Sequence, residues 1–504
     1  MKFVEPIRVA EYQEILPDPP EGACDKDTRN YIEAHHDVLW QRLFRFDDEH
    51  FRSTRSHVFE FRGKRVFACN NVGVIRTGGL TIEILPKIDA PSGQSSQSPP
   101  QAGGAWNLAQ HNLLAMLAYT RKLQIVARDI AALDIRKMSL LEVLIHTFAT
   151  SLLDELVRGV DRSYVAREDN LAFFKGKLLV GHHIRQNSLR RDRFSLGYEE
   201  FDADTRINRI LLATCRRLLV FSGRSDSVRL LTQAIAHMDC VSDVRILPHH
   251  FDNLILNRNN QRFEVLLNFC RMVLLGQSPA PRHGASETFC LLFPMEQLFE
   301  EFVATFLRRH CANPDFMEDG KGGCFCSSED VFAQGVGVDK KYLVCAEREG
   351  GRRDFRLKPD IIIMGRDANG NVFPRLIVDT KWKCLLEVDR TRARKVAQSD
   401  MYQMYAYANR FNCADVILLY PSTPELEQLL YPTTSELEQR TIARSYVIES
   451  DEPVCDNAGC VTPARPGNVP KRIHIRLVPL HFDLLTDSGR RQFGKALRRA
   501  LEVG

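Results

Sequence analysis

Two short apolar runs, Ile361–Met364 and Leu376–Val378, limit what this chain can fold into more than any other feature. They lie in LKPDIIIMGRDANGNVFPRLIVDTKWK, residues 357–383, on either side of the turn-rich GRDANGN. Short apolar runs bounded by turn residues read as buried strands. Asp360 opens the first run; Asp379 closes the second, with Lys381 two residues on. Side chains on a strand repeat every two residues, so Asp379 and Lys381 project from one face. If the strands pair as a hairpin, Asp360 lies beside Asp379, and two carboxylates converge next to an ammonium.

Those groups suit metal-dependent phosphodiester hydrolysis. Asp360, Asp379 and the backbone carbonyl of Thr380 are hard oxygen ligands of the kind Mg2+, or Mn2+, takes. Such an ion polarises a phosphate and lowers the pKa of a bound water. Lys381 is placed to position that water or to stabilise charge developing on the phosphate. Downstream, SDMYQMYAYANRF carries Gln403 and Tyr407 four apart on one helix face. The order strand-Asp, strand-Asp-x-Lys, helix-Gln-x-x-x-Tyr resembles the PD-(D/E)xK nuclease superfamily, its RecB-like branch included. In that resemblance Gln403 and Tyr407 orient the site or the phosphate. Upstream, MEQLFEEFV carries an apolar stripe through Leu298, Phe299, Phe302, Val303, Phe306 and Leu307. Glu296 and Glu300 flank it. The superfamily often adds a third carboxylate; Glu300 is the first choice and Glu296 the next, against the alternative of a solvated acidic flank.

At roughly 100–200 residues per domain, 504 residues suggest about three domains. Hydrophobic residues at 44% and charged residues at 26% allow sizeable cores and exclude a disordered or collagen-like chain. The 14 cysteines are scattered in apolar contexts and read as reduced core residues. No run approaches the roughly 20 apolar residues of a membrane span, and MKFVEPIRVAEYQEIL lacks a signal-peptide core. A cytoplasmic location without a membrane partner is expected. The net charge of +4 is too small to argue for nucleic acid by itself.

The expected fold is multi-domain α+β: a β-rich N-terminal head, a helical middle, and a C-terminal α/β PD-(D/E)xK, restriction-endonuclease-like domain with a mixed sheet. The head, 1–88, has strand-like runs at Val58–Phe61, Arg65–Cys69 and Leu80–Leu85, with hairpin signals at Arg62-Gly63-Lys64 and Thr77-Gly78-Gly79. A small barrel or meander beside a helix at Tyr31–Phe46 follows. Residues 89–105 are a Ser/Pro/Gly/Gln linker. The middle, 106–283, has helical stretches at Asn107–Leu123, Ser139–Leu156 (with a Ser139/Glu142 capping-box pattern) and Asp204–Val220, and strands or loops between the last two. In the nuclease segment, 284–504, a helix is expected through Thr391–Phe411 and a last one over 488–502.

VGVIRTGGLTIEILPKI (72–88), FKGKL (174–178), FDADTRINRIL (201–211), FPMEQLFEEFV (293–303), LKPDIII, LIVDTKWK and SDMYQMYAYA, in this order, resemble the McrC family, the nuclease subunit of McrBC-type restriction systems. The resemblance implies a DNA endonuclease whose N-terminal domain docks on a hexameric, McrB-like AAA+ GTPase and stimulates it, with double-stranded DNA as substrate. The chain has no G-x-x-x-x-G-K-[ST] loop of its own. Two other readings stay open: a subunit that mainly activates its motor, and a stand-alone RecB-like repair nuclease.

Weaker signals carry bland alternatives. Arg390, Arg392, Arg394 and Lys395, and also Arg185, Arg190, Arg191 and Arg193, are candidate phosphate contacts or simply solvated faces. Arg76, beside Gly78-Gly79, is a candidate partner contact or an ordinary surface arginine. The pairs His35-His36, His182-His183 and His249-His250 lack partners at zinc spacing, and Cys324-x-Cys326 with Cys455-x4-Cys460 makes a poor zinc set.

Overall fold

The computed structural model describes residues 5–77, 80–87, 104–122, 138–252, 254, 256–275, 289–317, 325–345, 353–367, 369–383, 396–422, 444–448 and 471–503. Among them are five sheets and 11 helices, a mixed α/β, multi-domain arrangement.

The N-terminal part opens with β1 (Ile7–Ala10) and β2 (Glu14–Leu16), then α1 (Lys26–Thr54). Asp25 caps α1 by accepting from Thr28 N at 2.8 Å. The expected helix at Tyr31–Phe46 is thus the middle of a longer one. β3 (Phe59–Arg62) and β4 (Arg65–Ala68) form a hairpin with Gly63 at φ +63 in its tight loop. β5 (Asn71–Thr77) pairs with β6 (Leu80–Leu85). These strands do not close into one barrel or meander. β2–β4–β3 is one sheet, and β1–β6–β5 belongs to another whose fourth strand comes from Phe289–Pro294. β1 and β6 run parallel, so the chain must leave the sheet between them, and α1 lies in that excursion.

The middle contains α2 (Gly104–Tyr119), α3 (Leu140–Val157), β7 (Ser163–Leu171), β8 (Lys177–Leu178), α4 (Val180–Asn187), β9 (Phe194–Asp202), α5 (Arg206–Phe221), α6 (Ser225–Ala236) and α7 (Glu264–Leu275). Ser139 caps α3 at 3.3 Å from Glu142 N. Glu142 does not reach back to complete the box. Its carboxylate accepts from Gly223 N (2.5 Å) and Ser222 Oγ (3.1 Å), tying α3 to the α5–α6 turn. Leu144, Leu152, Leu211, Cys215, Leu231 and Phe269 fill the core between these helices. β7, β9 and β8 form an antiparallel sheet whose first strand is exposed along most of its length.

β10 (Phe289–Pro294) pairs antiparallel with β5, from Phe289–Arg76 to Pro294–Asn71, and runs straight into α8 (Met295–His310). The start of the segment assigned to the nuclease therefore completes the N-terminal sheet. There follow α9 (Pro314–Met317), β11 (Val331–Ala333), β12 (Tyr342–Cys345), β13 (Arg353–Arg356), β14 (Ile361–Arg366), β15 (Val372–Thr380), α10 (Gln398–Arg410), β16 (Asp415–Ser422), β17 (Arg444–Val447), β18 (Arg472–Pro479) and α11 (Asp487–Leu501). Residues 391–395 of the expected Thr391–Phe411 helix lie outside the described residues.

Six of these strands make a mixed sheet in the order β11–β14–β15–β16–β18–β17, with β12 and β13 paired apart. β15, β16 and β18 are parallel neighbours, and α10 lies in the crossover from β15 to β16. Alternate residues serve opposite faces. Ile361, Ile363, Leu376 and Val378 pack with Phe302, Phe306 and Phe493 of α8 and α11. Ile362, Ile377 and Leu418 pack with Met404, Tyr407 and Ala408 of α10. A sheet covered on both faces explains why both runs read as unbroken apolar stretches.

Candidate active site at the end of the central hairpin

β14 and β15 pair antiparallel with Ile361 opposite Val378, so Asp360 and Asp379 come together one step further on. Asp360 Oδ2 accepts from Thr380 N at 2.7 Å and from Thr380 Oγ1 at 2.9 Å. Asp379 is fully buried, and Lys381 Nζ stands 2.6 Å from its Oδ2. Neither Asp379 oxygen accepts a well-directed hydrogen bond. Lys381 Nζ also donates to Gln403 Oε1 at 3.1 Å. Gln403 Nε2 donates to the Tyr407 hydroxyl at 2.8 Å, which donates to the Lys358 carbonyl at 3.0 Å. Met404, Tyr407 and Ala408 hold α10 on the sheet, and Gln403 lies beside them.

Burial pushes the Asp360 carboxyl up to about 6, helped by the charge of Glu300 and opposed by the Thr380 donors. Burial, then the Asp360 charge, pushes Asp379 up to about 7 against the pull of Lys381. For Lys381, burial disfavours the ammonium, but the Asp379 carboxylate outweighs it and holds the group above its ordinary range. Glu300 is raised by burial, its Oε1 accepting from Gln334 Nε2 at 3.1 Å, and it feels both Asp379 and Lys381.

A buried carboxylate whose oxygens lack directed donors is costly. Asp379 is such a carboxylate, and with Asp360 beside it the pair fits a hard divalent cation. The donor set expected from the sequence is Asp360, Asp379 and the Thr380 carbonyl. Among the described residues no three His, Cys, Asp or Glu side chains converge as a ready cage; Glu300 is near enough for its charge to act on Asp360.

The remaining sequence candidates fall elsewhere. Glu296 stands near Glu11. Arg76 is half-buried on β5, where Nη1 donates to the Phe221 carbonyl at 2.6 Å. Arg390, Arg392, Arg394, Lys395, Cys324, Cys455 and Cys460 lie outside the described residues. Arg185, Arg190, Arg191 and Arg193 lie on α4 and the turn after it, beside β9. That sheet exposes Tyr164 and Phe201, and the segments beside it expose Phe173, Phe174, Ile184 and Leu189.

Four contributors have no motif. The Thr380 hydroxyl was hidden behind its carbonyl. Lys383, 3.3 Å from Asp400 Oδ2, continues the alternation Asp379, Lys381, Lys383, and that signal was available. Gln334 and Glu11 come from distant segments. Glu11, in the β1–β2 turn, accepts from Trp382 Nε1 at 2.9 Å, and Trp382 packs on Phe299 at 5.1 Å.

A family model described as the McrBC 5-methylcytosine restriction system component matches residues 66–421. The type IV methyl-directed restriction enzyme EcoKMcrBC of Escherichia coli strain K12 is 20% identical over 175 residues, or 34% of this chain and 50% of that protein. The match thus spans about half the length of this curated relative. Among solved structures, a chain of the refined half-complex from a tetradecameric assembly of Thermococcus gammatolerans McrB AAA+ hexamers with bound McrC shares the fold. Its TM-score is 0.61 at 19% identity, covering 98% of this chain and 100% of that one.

Proposed function

Because the chain belongs to the McrBC 5-methylcytosine restriction system component family, we propose that it is the McrC-like nuclease subunit of such a system. It is a metal-dependent DNA endonuclease of PD-(D/E)xK type that works with a McrB-like AAA+ GTPase. The observation that carries this reading is the convergence of Asp360, Asp379, Lys381 and Gln403 at one strand end. The missing G-x-x-x-x-G-K-[ST] loop favours the nuclease subunit over the motor.

Asp360, Asp379 and the Thr380 carbonyl would hold Mg2+ or Mn2+, which when bound neutralises charge on the scissile phosphate and lowers the pKa of the attacking water. Thr380 fixes the Asp360 carboxylate through two hydrogen bonds, so one oxygen is oriented before any ligand arrives. Lys381 carries a proton held firmly by Asp379 and places it where negative charge develops on the phosphate. Gln403 aims that ammonium, and Tyr407 anchors Gln403 to the strand leading to Asp360.

For the partner, the N-terminal sheet spends its last strand on β10, while the β7–β9–β8 sheet exposes aromatic side chains such as Tyr164 and Phe201. Clustered exposed apolar residues mark contact surfaces, so this sheet is the better docking candidate.

Asp379→Ala and Lys381→Ala test the reading in the assembled complex. Both variants should fail to linearise methylated plasmid DNA while still raising GTP hydrolysis by the partner. Cleavage surviving both substitutions would overturn the site assignment.

A further inference from the structure

Beside the site lies an open cavity of about 750 Å3 between the β12–β13 hairpin and the end of α10, lined by Lys340, Lys341, Arg353, Arg410 and Asp339 among others. Arg356 and Lys358 are exposed and continue the row toward Asp360. None of these six cations forms an ion pair among the described residues. Elsewhere surface arginines do: Arg62 with Glu60, Arg167 with Asp202, Arg209 with Asp204. Six like charges against Asp339 and Asp354 repel one another at a cost that a polyanion would remove.

The elements of the groove are tied together by hydrogen bonds, and Tyr407, which donates to the Lys358 carbonyl at 3.0 Å, connects them to the candidate active site. Arg410 Nε donates to the Tyr342 carbonyl at 2.7 Å, and Leu357 N to the Lys341 carbonyl at 2.9 Å. Gln403, Tyr407 and Arg410 follow at i, i+4 and i+7 on α10, so Arg410 lies about 10 Å along one helix face from the residue that holds Lys381. On β13, Phe355 sits at φ 57 and is 73% exposed. A left-handed backbone at a bulky residue is strained, and such strain collects at functional positions.

We propose that this groove holds the phosphate backbone of duplex DNA on its way to Asp360 and Asp379, with Phe355 as an apolar wedge against the duplex. The choice of DNA rests on the nuclease reading; the polyanion site rests on the groove itself.

Binding is measured by fluorescence anisotropy on the full chain carrying Asp379→Asn, with a labelled duplex of mixed sequence, so that cleavage plays no part. Lys340→Ala with Lys341→Ala, and Arg353→Ala with Arg356→Ala, should each weaken binding roughly tenfold or more at moderate salt. Each should also flatten the slope of log affinity against log salt by about one for every phosphate that is no longer neutralised. Arg353→Lys with Arg356→Lys should restore most of the affinity, which a misfolded chain would not do, and Phe355→Ala should weaken binding with the slope unchanged. Unaltered affinity and slope in both double variants overturn the proposal, as does a parent chain that fails to bind duplex at low salt. An equal loss of binding to polyglutamate would overturn the DNA assignment. In the cleavage-competent chain, the same variants should raise KM and leave kcat in place. Duplex bound through the groove but never cut, even when the chain is assembled with a McrB-like GTPase, would sink the nuclease reading alone.

Discussion

Thr380 shows how much one side chain can do beside a charged site. Its amide and hydroxyl both donate to Asp360 Oδ2, and they act against the burial that pushes that carboxyl up. Partners that orient a metal-ligating group typically change metal affinity about 10–100-fold when removed. Thr380→Val keeps the shape and deletes the 2.9 Å bond. It should raise the Mg2+ concentration for half-maximal cleavage about tenfold, and Thr380→Ser should restore it. An Mg2+ titration of plasmid cleavage reads both; an unchanged midpoint in Thr380→Val would show that the hydroxyl is idle. Asp379 and Lys381 were legible because they alternate along one strand, and Asp360 because the turn between the two apolar runs pairs its strand with theirs. The hydroxyl was not, since a threonine between two charged residues is also an ordinary strand residue.

Among the elements, α10 links the two halves of the site. Met404, Tyr407 and Ala408 seat it on the sheet, and Gln403 lies beside them. Tyr407→Phe deletes the hydroxyl that accepts from Gln403 and donates to Lys358. The expected outcome is a drop in kcat of about tenfold, from losing a net 1–1.5 kcal/mol of orientation, with little change in KM for DNA. A change confined to KM would place Tyr407 in DNA binding instead. The β7–β9–β8 sheet invites a second element-level measurement. Tyr164 and Phe201 pack against each other at 4.9 Å on its exposed face. Tyr164→Ser with Phe201→Ser should weaken assembly with the proposed AAA+ partner in a pull-down and leave the melting temperature within a few degrees. Full-strength assembly would remove this face as the docking surface.

Over the whole molecule, the N-terminal part meets the end of the strand that carries Asp379 through a buried carboxyl. Burial pushes Glu11 up to about 7, against the donors on Trp382 and Lys87. Its ordinary value is 4.5. The folded chain therefore binds this proton more tightly than the unfolded chain. The stability it contributes is complete below pH 4.5 and is lost as pH rises through 7, up to about 3 kcal/mol in all. Glu11→Gln should flatten the fall of melting temperature between pH 5 and 8, measured against the parent chain. An equally steep fall in the variant would assign it to other groups.

Local periodicity determined the strands of the central hairpin, its two aspartates and lysine, and the helix with Gln403 and Tyr407. These lie close together in the chain, and a two-residue alternation or a four-residue spacing encodes which face each occupies. Only the tertiary structure decided that β10 closes the N-terminal sheet, that Glu11 meets Trp382, and that Lys340, Lys341, Arg353 and Arg410 line one groove. Those pairings join segments far apart in sequence. They are set by which strand edges and buried polar groups find partners as the chain closes on itself, and no local pattern records that outcome.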